Sequence, residues 1–228
     1  MIYLLTALAP VFIILIYVYF RDKYEREPLK LLLKAIIAGC LVVIPVIFIG
    51  RLLDSLWSPL DNVSDAAYNA FVIAAFTEEL FKFLALYLLI WKNPNFNEKF
   101  DGIVYAVFIS LGFAAVENVM YVSGGAGNVA LIRAFTAVPA HAIFGIRMGY
   151  FFGIAHMYPE LRKSYLRKAL FYPILLHGIY DFILMVEIPW LLTLFAPYLV
   201  YLYYSGFRKM KIISDTSIYR PDEEPESV

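Results

Sequence analysis

Six side chains able to move protons or hold an ion stand inside long apolar runs: Glu78, Glu79, Glu117, His141, His177 and Asp181. A buried charge at mid-bilayer costs roughly 2.5–3.5 kcal/mol on translocon-type scales, so such groups need partners or a task. Glu78 and Glu79 share residues 66–91 (AAYNAFVIAAFTEELFKFLALYLLIW) with Lys82. The four-residue spacing sets Glu78 and Lys82 on one helix face, where they can pair. Glu79 lies about 100° further round. Three charges cannot pair one to one, so one carboxylate is left for a group outside this helix. His177 and Asp181 are also four apart. Their shared face lets the carboxylate orient the imidazole, or lets both bind one ion. The chemistry within reach is general acid–base catalysis, proton relay or ion binding.

Each group also has an inert reading. Lys82 accounts for one glutamate as a structural ion pair, but not for both. Glu117 can bond to Asn118 or Tyr121, His141 to a carbonyl, and His177 with Asp181 can staple two helices. Joint occurrence at one depth outweighs these single readings.

Composition sets the frame. Of 228 residues 62% are hydrophobic and 17% charged, with a mean hydropathy of +0.71. A soluble domain is nearer 45–50% apolar and about 25% charged. The expected fold is all-α, a polytopic integral membrane bundle of about seven transmembrane helices. The lone cysteine, Cys40, excludes an intrachain disulfide and cysteine-rich zinc sites. A formal net charge of zero gives no indication of a nucleic-acid partner.

The expected spans are residues 2–20, 31–53, 66–91, 102–123, 129–157, 169–186 and 190–206. Residues 1–206 form one transmembrane domain, and 207–228 a polar cytoplasmic tail whose end, PDEEPESV, reads as disordered. Lys and Arg cluster in every second connection, at 21–34, 92–99, 162–168 and 208–211, and are absent from 54–65, 124–128 and 187–189. Basic loops stay in the cytoplasm, which puts the N-terminus outside. Helix rise then sets Glu78 and His141 ~18 Å, His177 ~14 Å, Glu117 ~9 Å and Asp181 ~8 Å below the outer face. Four spans thus bring ionisable groups into one slab that opens outward. Arg147 falls deeper, as a structural partner or a snorkelling group.

The motifs read EExxK at 78–82, FxxxE at 113–117, a single His141, and HxxxD at 177–181. In this order on successive helices they resemble the PrsW family of membrane proteases, distant relatives of the CAAX-prenyl protease and bacteriocin-processing superfamily. The resemblance covers about residues 1–210. It implies a peptidase that makes the site-1 cut in a single-span anti-sigma factor of the RsiW type, outside the cytoplasm, releasing an extracytoplasmic-function sigma factor. Peptide hydrolysis needs an activated water and a positive group for the oxyanion. In a metal version His141 and His177 hold Zn²⁺ with a carboxylate, Glu117 or Asp181, and one position stays open for water. In a metal-free version glutamate and histidine act directly. No HExxH is present, so both stay open. The rivals are an ion- or proton-coupled transporter and a non-catalytic membrane adaptor. A transporter would favour short broken spans in two matching halves, and the chain has no such symmetry.

Overall fold

The computed structural model describes residues 2–124 and 127–220. The apolar runs fold as helices, and no strand occurs among the described residues. The elements are α1 (Ile2–Arg21), α2 (Leu29–Ser55), α3 (Asn62–Tyr68), a π-helical segment (Asn69–Phe76), α4 (Thr77–Ile90), α5 (Lys99–Ser123), α6 (Gly127–Phe135), α7 (Ala137–Met157), α8 (Arg162–Met185), α9 (Pro189–Leu192) and α10 (Phe195–Asp215). Five stretches are long and apolar enough to cross a bilayer: Tyr3–Arg21, Leu29–Ser55, Lys99–Ser123, Leu131–Met157 and Pro159–Met185. α5 and α7 form the axis, with 72% and 83% of their apolar windows buried against 22% for α1 and 28% for α2. The outer helices turn Phe12, Ile16, Leu41 and Phe48 outward, as a lipid-facing surface requires. The expected bundle is therefore the observed one.

Contacts between connections define two ends. At one, Asn97 Nδ2 donates to Glu25 Oε1 at 2.9 Å and Ser217 Oγ to Glu98 Oε2 at 2.5 Å. There too Arg162 lies 5.4 Å from the Trp91 ring centre. The basic connections after α1, α4, α7 and α10 thus gather together. At the other end Asn62 Nδ2 donates to the Val186 carbonyl (3.0 Å), Tyr68 Oη to that of Leu53 (3.1 Å) and Asn118 Nδ2 to that of Ala7 (3.1 Å). The described chain therefore traverses seven times, the third pass being Asn62–Ile90 and the seventh α10.

Three passes differ in detail from the expected spans. Residues 66–91 stay helical but widen into the π segment over Asn69–Phe76. π turns are rare and collect at functional sites; this one ends at Phe76, two residues before Glu78. The Thr77 hydroxyl bonds back to the Ile73 carbonyl within it. Residues 129–157 break at Thr136 into α6 and α7. Pro139 has no N–H for the Phe135 carbonyl and would clash with it in a continuous helix. That carbonyl instead accepts Tyr203 Oη at 3.1 Å. The last pass runs on to Asp215. Of the expected cytoplasmic tail, 221–228 lies outside the described residues, as do 125 and 126 of the glycine-rich connection.

Glycines let the axial backbones touch. A Cβ on Gly149 would sit 2.2 Å from the Gly102 carbonyl oxygen of α5. One on Gly112 would sit 2.3 Å from that of Ile36 on α2. Small residues at helix crossings permit this approach, which apolar side chains alone cannot drive in lipid.

The basic end also holds a buried acidic cluster, with Asp22 2%, Glu27 4%, Glu98 3% and Asp101 0% exposed. No ion pair reaches these four carboxylates among the described residues. Tyr105 donates its hydroxyl to Glu27. Burial, reinforced by Asp101 and Glu98, pushes Asp22 from 3.8 up to about 7. Burial and Asp101 push Glu27 from 4.5 up to about 9. In both the folded chain holds its proton more tightly than the unfolded chain, so stability is full below the unfolded values and is lost as pH rises through the folded ones. The melting temperature of the detergent-solubilised protein is therefore expected to fall from acidic pH toward about pH 9. Asp22→Asn should flatten the lower part of that slope, and an unchanged slope would remove Asp22 from its cause.

Candidate active site

The first two turns of α4 carry Glu78, Glu79 and Lys82 into the bundle interior, with Glu79 and Lys82 fully buried. Lys82 Nζ donates to Glu78 Oε2 at 3.0 Å and to Glu79 Oε1 at 2.8 Å, so one ammonium bridges both carboxylates. The one-to-one pairing expected from spacing is replaced by this bridge. Nζ also lies 3.2 Å from His141 Nδ1 and 4.2 Å from the centre of the Phe113 ring.

The other helices supply the surround. On α8, His177 sits between two carboxylates, with Nδ1 3.0 Å from Glu79 Oε1 and Nε2 3.1 Å from Asp181 Oδ2. Both ring nitrogens donate only when the imidazole is protonated. On α7, His141 Nε2 lies 3.0 Å from Glu117 Oε2 of α5. With Nδ1 facing an ammonium, this geometry assigns the proton of a neutral ring to Nε2. The rings of His141 and His177 meet edge to face at 5.3 Å, and Phe144 stacks on His177 at 4.8 Å.

All six expected residues therefore join one polar network, completed by Lys82 and by Arg133. Arg133 Nη2 lies 2.6 Å from Glu117 Oε1. Reading for motifs missed Arg133, although an arginine inside an apolar run is itself a signal. Arg147, by contrast, is buried away from the network and joins no carboxylate among the described residues. The network lines a cavity of about 210 Å³ whose walls include Glu78, Glu117, Arg133, His141, His177 and Asp181. Glu117 and Asp181 are the more exposed, with side chains 22% and 16% accessible. Glu79 lies behind this wall.

The donor chemistry fits a metal ion. One ligand atom from each of Glu78, Glu79, His141 and His177 falls within 4.8 Å of the others. Glu79 Oε2 is buried with no partner among the described residues, an acceptor that an ion or a water would satisfy. The set differs from the expected one. Glu117 sits on Nε2 of His141 and Asp181 on Nε2 of His177, where each can orient its imidazole. The Lys82 ammonium touches three of the four donors, so it and an ion compete for one place.

Comparisons with known proteins give the family. The sequence model of the PrsW family intramembrane metalloprotease matches residues 27–206. Proteins named Protease PrsW are similar along almost their whole length. That of Geobacillus kaustophilus is 35% identical over 89% of this chain and 88% of its own. That of Clostridioides difficile is 36% identical over 91% and 89%, and that of Bacillus subtilis 35% over 90% and 92%. No solved structure matches. The family model and these relatives support a peptidase rather than a transporter or an adaptor, and the chain belongs to the PrsW family of intramembrane proteases.

Proposed function

We propose that the chain makes the site-1 cut in a single-span anti-sigma factor of the RsiW type, on the extracytoplasmic side, and so starts the proteolysis that frees an extracytoplasmic-function sigma factor. One observation carries the chemistry. Of the two adjacent glutamates, Glu78 lines the cavity and Glu79 stands behind it, bonded to Lys82 and His177. Glu78 is then the general base that takes a proton from water, and Glu79 the group that fixes its surroundings. His177, held between Glu79 and Asp181, faces the same cavity, where its charge, when the ring is protonated, favours the developing oxyanion. An ion held by Glu78, Glu79, His141 and His177 would polarise the carbonyl and acidify the water. Removing metal from purified protein with a chelator decides between cations. Cleavage that stops, and returns with Zn²⁺, assigns the role to the ion, and cleavage that survives assigns it to Lys82.

The side of the cut follows from the depth of these groups. Glu117 lies six residues before the end of α5, ~9 Å by helix rise, at the end away from the basic connections. With basic loops in the cytoplasm that end faces out, so the N-terminus is extracytoplasmic and the C-terminus cytoplasmic. A substrate must present an extended strand, and a stalk just outside its own span can unwind into the cavity. A segment within lipid would have to break helical hydrogen bonds that nothing there replaces. Incubating purified protein with a single-span substrate and mapping the new terminus of the membrane-retained fragment should place the cut in the extracytoplasmic juxtamembrane stalk. A new terminus on the cytoplasmic side of the span would refute the reading. A reporter active only outside the cytoplasm should work when fused at Asn62 and fail at Asn95.

A further inference from the structure

Arg133 belongs to no motif, yet it closes the polar network. It stands on α6, a nine-residue helix separated from α7 at Thr136. Its Nη2 lies 2.6 Å from Glu117 Oε1, its Nε donates to Asn118 Oδ1 at 3.3 Å, and its guanidinium packs 4.1 Å from the centre of the Tyr121 ring. All three partners are on α5. The other oxygen of Glu117 takes His141 Nε2 at 3.0 Å; His141 Nδ1 meets Lys82 Nζ at 3.2 Å; Lys82 reaches Glu78 at 3.0 Å. Arg133, Glu117, His141, Lys82 and Glu78 thus form an unbroken chain of contacts from α6 to the cavity wall. Paired with Arg133, Glu117 presents one set oxygen to His141, and the imidazole turns its lone pair to the ammonium. Without Arg133 the carboxylate, 22% accessible, is free to rotate into the cavity.

We propose that Arg133 is a positioning residue for the peptidase reaction, acting through Glu117 and His141 to hold the Lys82 ammonium against Glu78. In this role it acts through Glu117 and not on the reacting atoms. The inference rests on Glu78 being the base.

Three properties separate positioning from plain support of the fold. Arg133→Gln should lower kcat by about 10²-fold, the scale of a small misplacement of reacting groups, while KM for a stalk peptide changes little. Arg133→Lys keeps a positive charge on Glu117 and should recover most of that loss. In a double-mutant cycle, Arg133→Gln on top of Glu117→Gln should cost almost nothing further, because the path runs through Glu117. Melting temperatures are measured alongside. Wild-type kcat in Arg133→Gln, a loss confined to KM, effects additive with Glu117→Gln, no rescue by lysine, or failure of Arg133→Gln to fold would each overturn the proposal. The last would assign Arg133 to the scaffold through Asn118 and Tyr121. Glu78→Gln is assayed in parallel. If it still cleaves, the base assignment fails whatever Arg133 does; if it is inactive and Arg133→Gln is not, only the positioning role fails.

Discussion

Glu78→Gln is expected to lower substrate cleavage by about 10³-fold while leaving the protein folded and in the membrane, since a positioned general base contributes 10²–10⁴. Glutamine has the shape of glutamate, and its amide oxygen can still accept from Lys82. The ammonium keeps its 2.8 Å bond to Glu79, so no buried charge loses its counterion. Glu79→Gln should differ. Glu79 holds both Lys82 at 2.8 Å and His177 at 3.0 Å and is fully buried. Each charge-assisted bond is worth about 1.5–3 kcal/mol, so this variant should lose both activity and stability. The two separate on one gel, by substrate remaining and protease level. Normal cleavage by both variants would make the carboxylates structural.

Lys82→Met should have the largest effect on the fold. The ammonium is fully buried and lies between two buried carboxylates. Removing one partner of a buried ion pair costs about 3–5 kcal/mol, because the remaining charge has neither water nor counterion. Here one substitution takes the shared cation from two carboxylates, and only Glu79 keeps a second close partner, His177 at 3.0 Å. Adding Glu79→Gln to Lys82→Met removes one of them and should restore much of the melting temperature without restoring cleavage. The non-additivity is the diagnostic, since contacting groups couple where distant ones add. A Lys82→Met protein that melts and cleaves like wild type would show that the glutamates never relied on this lysine.

Most members of the polar network, Arg133 excepted, were legible in the sequence because charge inside an apolar run is costly and stands out. The relations within it were less so. Spacing along α8 gave the His177–Asp181 pair, which the helix realises at 3.1 Å. Spacing could not say that Glu117 meets His141 at 3.0 Å, because that depends on how α5 and α7 face each other. The break at Thr136 had a local signal in Pro139, but the apolar run over 129–157 outweighed it. The π segment had none, because NAFVIAAF is apolar all round and suits either winding. The buried acids at the basic end look in sequence like ordinary solvated loop residues; the fold alone closes Asn97, Glu98 and Ser217 over them.

The glycine contacts between axial helices constrain how the enzyme can admit a peptide. Gly102 and Gly149 join α5 to α7, and Gly39 and Gly112 join α2 to α5, backbone against backbone. Such a seam offers no side chain whose rotation would let the helices part. Glu117 and His141 ride on α5 and α7, so they behave as one stator. Whatever yields when a stalk enters must be hung on that stator from outside. The short helix α6, bounded by the break at Thr136, is itself fastened to that stator through the three α5 partners of Arg133.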